Sequence, residues 1–340
     1  MQKLIAIPNG INIAIKRWAP KGLTEKSTVI ATHGWMDNVS SFTYLGDFLS
    51  SRGYNFIALD LVGHGKSSHL HPSAPYLAHT YIQCVKATID GIKKDESMET
   101  GDEIVLLGHS MGAGISLMLA GAFPEITKRL VLLDGFGPFT STDDKSCNTL
   151  RRAIDVTLSD APKDNRVFPH LKRAIDARIK KVLTYPGNQF ISREAARLLV
   201  IRGVGVDENP LLLQDSDKND ELITNISFRH DPRITSPSHA YYNNNQGILN
   251  YSLTPSLTLS LTLTYSLTQV LSFVENISAK TLLLRAETGW PYIKEDATSR
   301  KSCLEKKGLL TLETLAGSHH FHLDPDTRSA VASRVLEFLE

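Results

Sequence analysis

The chain has 340 residues and a net charge of +1, room for one large or two small domains, and that near-neutral balance excludes a surface built to attract nucleic acid or an anionic membrane. Hydrophobic residues make up 41% of it, so a full core is available and wholesale disorder is excluded. Cys84, Cys147 and Cys303 lack metal-ligand or disulfide spacing, no run reaches membrane-spanning length, and the opening residues lack the apolar core of a secretory leader; a reducing, cytoplasmic setting is expected, with no metal and no integral membrane segment.

Residues 3–8 and 11–18 flank Asn9-Gly10, a dipeptide that favours a two-residue hairpin, so an antiparallel pair opens the fold. Residues 27–32 form the next strand and run into His33-Gly34-Trp35-Met36-Asp37-Asn38. The glycine there lets two backbones approach, leaving the amide of Trp35 to point at a neighbouring loop. Residues 41–51 read as a helix with Phe42, Leu45, Phe48 and Leu49 on one face, and residues 54–59 as a strand. Asp60 to Ser68 follows. Its Gly-Lys-Ser ending resembles a phosphate loop, but that pattern needs glycine where Asp60 stands, so nucleotide binding is rejected and its glycines and His64 are read as loop structure.

Residues 76–94 carry Leu77, Tyr81, Val85, Thr88 and Ile92 at helical spacing. Then Ile104-Val105-Leu106-Leu107 reads as a buried strand and residues 115–120 as a helix, with Gly108-His109-Ser110-Met111-Gly112 between them. Strand, G-x-S-x-G, helix is the nucleophile elbow. Its small residues permit a turn tight enough to strain Ser110 and lift the hydroxyl clear of the sheet. The helix behind aims its first amides and its dipole at a reacting carbonyl. Ser110 is the candidate nucleophile, and the amides of Trp35 and Met111 are the candidate oxyanion hole. Residues 129–133 form another strand, ending at Asp134-Gly135. Strands alternating with helices mean a parallel sheet covered on both faces.

From Gly137 the alternation stops. Residues 168–183 form an amphipathic helix with Leu171, Ala174, Ile175, Ile179, Val182 and Leu183 on one face and Lys172, Arg173, Arg178, Lys180 and Lys181 opposite, read as a solvated face. Ser192 caps a further helix that Gly203 closes. Residues 243–268 carry no charge: three asparagines lead in, and from 249 to 267 odd positions are apolar or proline and even positions Asn, Ser or Thr, so the stretch reads as a strand-like, low-complexity, dispensable insertion. Residues 280–286 are a strand, 294–307 a helix and 309–315 the last strand. That strand delivers Gly317-Ser318-His319-His320-Phe321-His322-Leu323-Asp324, and a helix runs to Leu339. The expected division is a core of residues 1–136 and 279–340 with a helical cap, 137–278, holding the insertion.

These motifs, with Arg229-His230-Asp231-Pro232-Arg233 and Gln269-Val270-Leu271-Ser272-Phe273, stand in the chain order of the α/β-hydrolase superfamily, and the chain resembles its serine hydrolase-like (Kraken-type) group. The resemblance implies an α/β fold: a mostly parallel eight-stranded sheet, helices on both faces, and a helical cap inserted after strand 6. It implies Ser110 as nucleophile and no cofactor. It also favours His319 as base, three residues before His322-Leu323-Asp324, with His320 the alternative. The superfamily's usual acid position, after the strand ending near Ala286, holds Gly289. Asp134, at the superfamily's other acid position, is favoured; Glu287 is the alternative, and no acid at all the third possibility. Two functions follow: a serine hydrolase of the esterase or lipase kind (EC 3.1) acting on a small-molecule acyl ester, or a ligand-binding relative whose chemistry has decayed.

Overall fold

The alternation of apolar residues along each strand sorts into two opposite faces of one sheet. In the computed structural model, which describes residues 1–95, 104–140, 147, 151, 165–207, 217–235, 265–291 and 294–340, eight strands pair in one sheet. They are β1 (Gln2–Ile7), β2 (Ile11–Trp18), β3 (Thr28–Thr32), β4 (Asn55–Leu59), β5 (Ile104–His109), β6 (Arg129–Leu133), β9 (Lys280–Thr288) and β10 (Leu310–Ser318), in the spatial order β1-β2-β4-β3-β5-β6-β9-β10. β1 and β2 are antiparallel, as are β2 and β4, and every other pairing is parallel. The opening turn is one residue longer than expected: Ile7 pairs with Ile11, so Pro8, Asn9 and Gly10 all lie in the turn.

Ile30, Ile57, Leu106, Leu132 and Leu283 point to one face, where α2 (Ala78–Asp95), α3 (Met111–Ala122) and α7 (Leu267–Asn276) cover them. Val29, Ala31, Phe56, Leu107, Val131 and Leu284 point to the other, under α1 (Thr43–Ser50) and α9 (Arg328–Leu339). Each of these Val, Leu, Ile and Phe side chains, fully buried, contributes about 1.5–3 kcal/mol. A further helix, α8 (Lys294–Lys306), sits between β9 and β10 in the chain.

Between β6 and β9 lie β7 (Val167–His170), α4 (Leu171–Val182), α5 (Arg193–Gly203), α6 (Asp217–Leu222) and β8 (Thr224–Ser227); β7 and β8 pair as a separate antiparallel ribbon. Two expectations change here. The run from Phe168 to His170 is strand, so the helix begins at Leu171. Ser192 caps α5 through the amide of Ala195, but Gly203 is its last residue and the left-handed position is Gly205 at φ 77°. This region has its own core of Phe168, Leu171, Ile175, Val182, Leu199 and Ile226, closed against Trp290 and Leu323 of the main body.

The repetitive stretch lies outside the described residues up to 264. Its expected end at Thr268 is too late. Ser266 and Gln269 form a reciprocal capping box that starts α7, and α7 packs on α3 so closely that a Cβ on Gly121 would lie 2.4 Å from the Phe273 carbonyl. Residues 266–276 therefore belong to the face of the sheet, within the stretch expected to be cap.

Candidate active site

Five strands deliver loops to one edge of the sheet, the carboxyl ends of β3, β5, β6, β9 and β10, where ligands bind in sheets of this kind. Ser110 leaves β5 at φ 54°, ψ −116°, a conformation that L residues avoid and that persists only where the surroundings enforce it. Those surroundings are small residues. A Cβ on Gly112 would lie 2.1 Å from the Thr32 carbonyl, and one on Gly108 would lie 2.3 Å from the Gly112 carbonyl. Met111 is the first residue of α3, so its amide is among those without a helical acceptor. After β3, a turn closed by the Asp37 amide donating to the Gly34 carbonyl (3.2 Å), with Met36 at φ 62°, carries Trp35 beside it. Gly34, Trp35, Ser110, Met111 and His319 line one pocket.

Asp134 also leaves its strand at positive φ, 43°. Its buried carboxylate accepts from three donors: His319 Nδ1 at 2.6 Å, the Trp290 amide at 2.8 Å and the Ala286 amide at 3.1 Å. Burial opposes its ionisation, but the His319 imidazole and the two amides outweigh that and hold the carboxyl below the ordinary carboxylate range. Gly289 makes this possible, because a Cβ there would lie 2.2 Å from the Asp134 carboxylate. Glu287 is exposed on β9, and Asp134 is the carboxylate on the His319 imidazole.

His320 lines the same pocket but faces a different acid: its Nε2 lies 3.3 Å from Asp37 Oδ2. Burial, against the pull of Asp37, takes its pKa down to about 4, so it is neutral at physiological pH. Asp37 also pairs with Arg178 Nη2 at 2.5 Å and stands 3.5 Å from His109 Nδ1. His109 Nε2 donates to the His319 carbonyl at 2.9 Å, and His322 Nε2 meets Ser41 Oγ at 2.8 Å.

Arg178 is a correction. It does not belong to a solvated face of α4; it is 8% exposed and lines the pocket. The signal is in the spacing, since Leu171, Ala174, Ile175, Arg178 and Val182 form the buried stripe of α4 and the arginine occupies an apolar position. Asp60 is more than a loop residue: its carboxylate accepts from the amides of Val39 and Lys66 and takes a salt bridge from buried Arg202 of α5 at 2.6 Å. The Arg229 to Arg233 motif is a clamp. Asp231 accepts from Tyr76 Oη at 2.7 Å, and Arg233 donates to Asp231 and to the carbonyls of Leu70 and Pro72.

A strained serine at a strand-to-helix turn, sharing a pocket with a histidine–carboxylate pair on the edge of such a sheet, defines a protein of α/β-hydrolase architecture. Residues 27–160 match the family described as alpha/beta hydrolase fold. A serine hydrolase-like protein of Dictyostelium discoideum is 28% identical over 98% of this chain and 80% of its own length. A human serine hydrolase-like protein is 35% identical over 45% of this chain and 71% of its own length. A hypothetical protein of Pseudomonas aeruginosa PAO1, known from its crystal structure, superposes with a TM-score of 0.70 at 30% identity, covering 98% of this chain and 97% of that one. The chain belongs to the α/β-hydrolase superfamily, in its serine hydrolase-like group.

Proposed function

We propose that the protein is a serine hydrolase that cleaves a carboxylic ester through an acyl-enzyme. Ser110 is the nucleophile, His319 the base and Asp134 the acid, and the amides of Trp35 and Met111 hold the oxyanion. A serine hydroxyl is a poor nucleophile at neutral pH, so His319 takes its proton as Oγ bonds to the acyl carbon. The same imidazolium returns the proton to the departing alkoxide. Water, activated by His319, then attacks the acyl carbon and releases the acid and Ser110. Asp134 keeps the Nδ1 proton in place and stabilises the imidazolium. The observation that carries this reading is the 2.6 Å contact between His319 and Asp134 in a pocket shared with Ser110. Glu287 and His320 are not assigned the roles of acid and base, the first because it is exposed, the second because its Nε2 faces Asp37.

Ile82, Met118, Phe139, Tyr185 and Trp290 give the pocket apolar walls that suit the acyl chain of a small-molecule ester. Among the described residues no helix is long and apolar enough to cross a membrane. The three unpaired cysteines support a cytoplasmic setting. The test is turnover of a series of p-nitrophenyl acyl esters of graded length. At least one should be hydrolysed, and Ser110→Ala should lower its kcat by about a thousandfold or more while the protein stays folded. A folded mutant that keeps most of its activity overturns the assignment of Ser110. A wild-type protein that turns over no ester favours a binding role.

A further inference from the structure

Besides Asp134 on its ring, His319 is held at two backbone points, and one of them comes from the region between β6 and β9. Gln189 lies in the loop joining α4 to α5, where Gly187 and Asn188 both take positive φ (88° and 55°) and turn the chain back on the main body. Its Oε1 accepts from the backbone amide of His319 at 2.9 Å and from Ser318 Oγ at 2.7 Å, while its Nε2 donates to the Pro186 carbonyl at 3.0 Å. Ser318 Oγ accepts in turn from the Phe190 amide at 2.9 Å, which closes the contact from both sides. Gln189 is 1% exposed, so water does not replace these bonds without rearrangement. The second point is the His319 carbonyl, held by His109 of the elbow.

We propose that Gln189 is a positioning residue: by fixing the amide of His319 it sets where the imidazole stands between Asp134 and Ser110. The cap then supplies part of the alignment of the base, in addition to enclosing the pocket. The inference rests on the reading of His319 as the base, and the test separates the two.

Gln189→Met keeps the length of the side chain and removes its acceptor. Gln189→Ala gives the same contrast should Met fail to pack. Gln189→Glu keeps an acceptor at Oε1. Ser192→Ala, which removes the cap of α5 without touching His319, reports what general loosening of the cap does. Two quantities are read. The first is kcat on a p-nitrophenyl ester, per active site titrated with a fluorophosphonate. The second is the low-field proton resonance of His319 Nδ1–H on Asp134, which needs no turnover.

In Gln189→Met, kcat should fall roughly ten- to a hundredfold with KM changed by less than about threefold, and the resonance should broaden or vanish. Gln189→Glu, which keeps the acceptor but sets an oxygen against the Pro186 carbonyl, should keep the resonance and retain more of kcat than Gln189→Met, and Ser192→Ala should lower thermal stability with both readouts intact. An intact resonance and wild-type kcat in Gln189→Met and Gln189→Ala would overturn the proposal, as would an equal loss in Ser192→Ala. If the wild type hydrolyses nothing, the reading of His319 as base fails, while the resonance still decides whether Gln189 sets the imidazole.

Discussion

Asp134 stands where two loops meet, and its proposed role as the acid rests on what Gly289 leaves out. The glycine occupies the position where a carboxylate is usual in this superfamily, and the space its missing side chain leaves is filled by the carboxylate of Asp134 from the neighbouring strand. Asp134→Asn is nearly isosteric and should lower kcat by about a hundred- to ten-thousandfold with circular dichroism unchanged, whereas Glu287→Gln should stay within about twofold. Gly289→Ala should displace the carboxylate and cost at least about tenfold in kcat, yet add little when combined with Asp134→Asn, because both changes act on one interaction. A full loss in Glu287→Gln would reverse the assignment. The serine was legible in the sequence because its context is local: a strand, three glycines and a helix within about fifteen residues. The carboxylate that meets His319 was not, because the choice between Asp134 and Glu287 depends on which loops converge in space.

At the scale of elements, two arginines tie α4 and α5 to the sheet. Arg178 meets Asp37 beside the candidate oxyanion turn, and Arg202 meets Asp60 at the end of β4. Both pairs are buried, so removing one partner leaves a charge without its counterion. Arg202→Met should destabilise the protein by about 3–5 kcal/mol in urea unfolding. Lys3→Ala, at the exposed pair with Asp95, should change it by less than about 1 kcal/mol. Equal effects would show that burial does not set the strength of these pairs. The strands and most helices are readable from periodicity, but the burial of Arg178 is not, because long cationic side chains are normally solvated. Its counterion is more than a hundred residues away in the chain, and no local pattern announces it. Ser266 and Gln269 were hidden for a different reason: the alternating stretch runs without a break into the capping box.

At the scale of the whole molecule, the notable property is how many histidines are buried neutral. Burial lowers the pKa of His33, His64, His109, His230, His320 and His322, taking His230 and His320 to about 4 against an ordinary 6.5. The unfolded chain then binds protons at a higher pH than the folded one, so stability rises with pH across the interval between those values and is lost as pH falls from 6.5 towards 4. Asp37 and Asp134, whose pKa values are depressed, add stability above the ordinary carboxylate range that is lost only at lower pH. The urea midpoint should therefore fall steeply from pH ~6.5 to pH ~4 and change little between pH ~7 and pH ~8; a flat profile across the acid interval would contradict the neutral burial of these rings. Deletion of residues 243–264, which spares the capping box, should leave the urea midpoint and ester turnover near wild type and reduce aggregation. Loss of folding would show that the repetitive stretch is needed.

Whether Ser110, His319 and Asp134 act together on an acyl group, as proposed, is tested by covalent labelling without knowledge of the substrate. The protein is treated with a fluorophosphonate and the adduct is located by peptide mass. One adduct is expected, on Ser110, absent in Ser110→Ala and formed at least about a hundredfold more slowly in His319→Gln and Asp134→Asn. A wild-type protein that takes no label, a label on another residue, or labelling of Ser110 at an undiminished rate in His319→Gln would contradict the proposal.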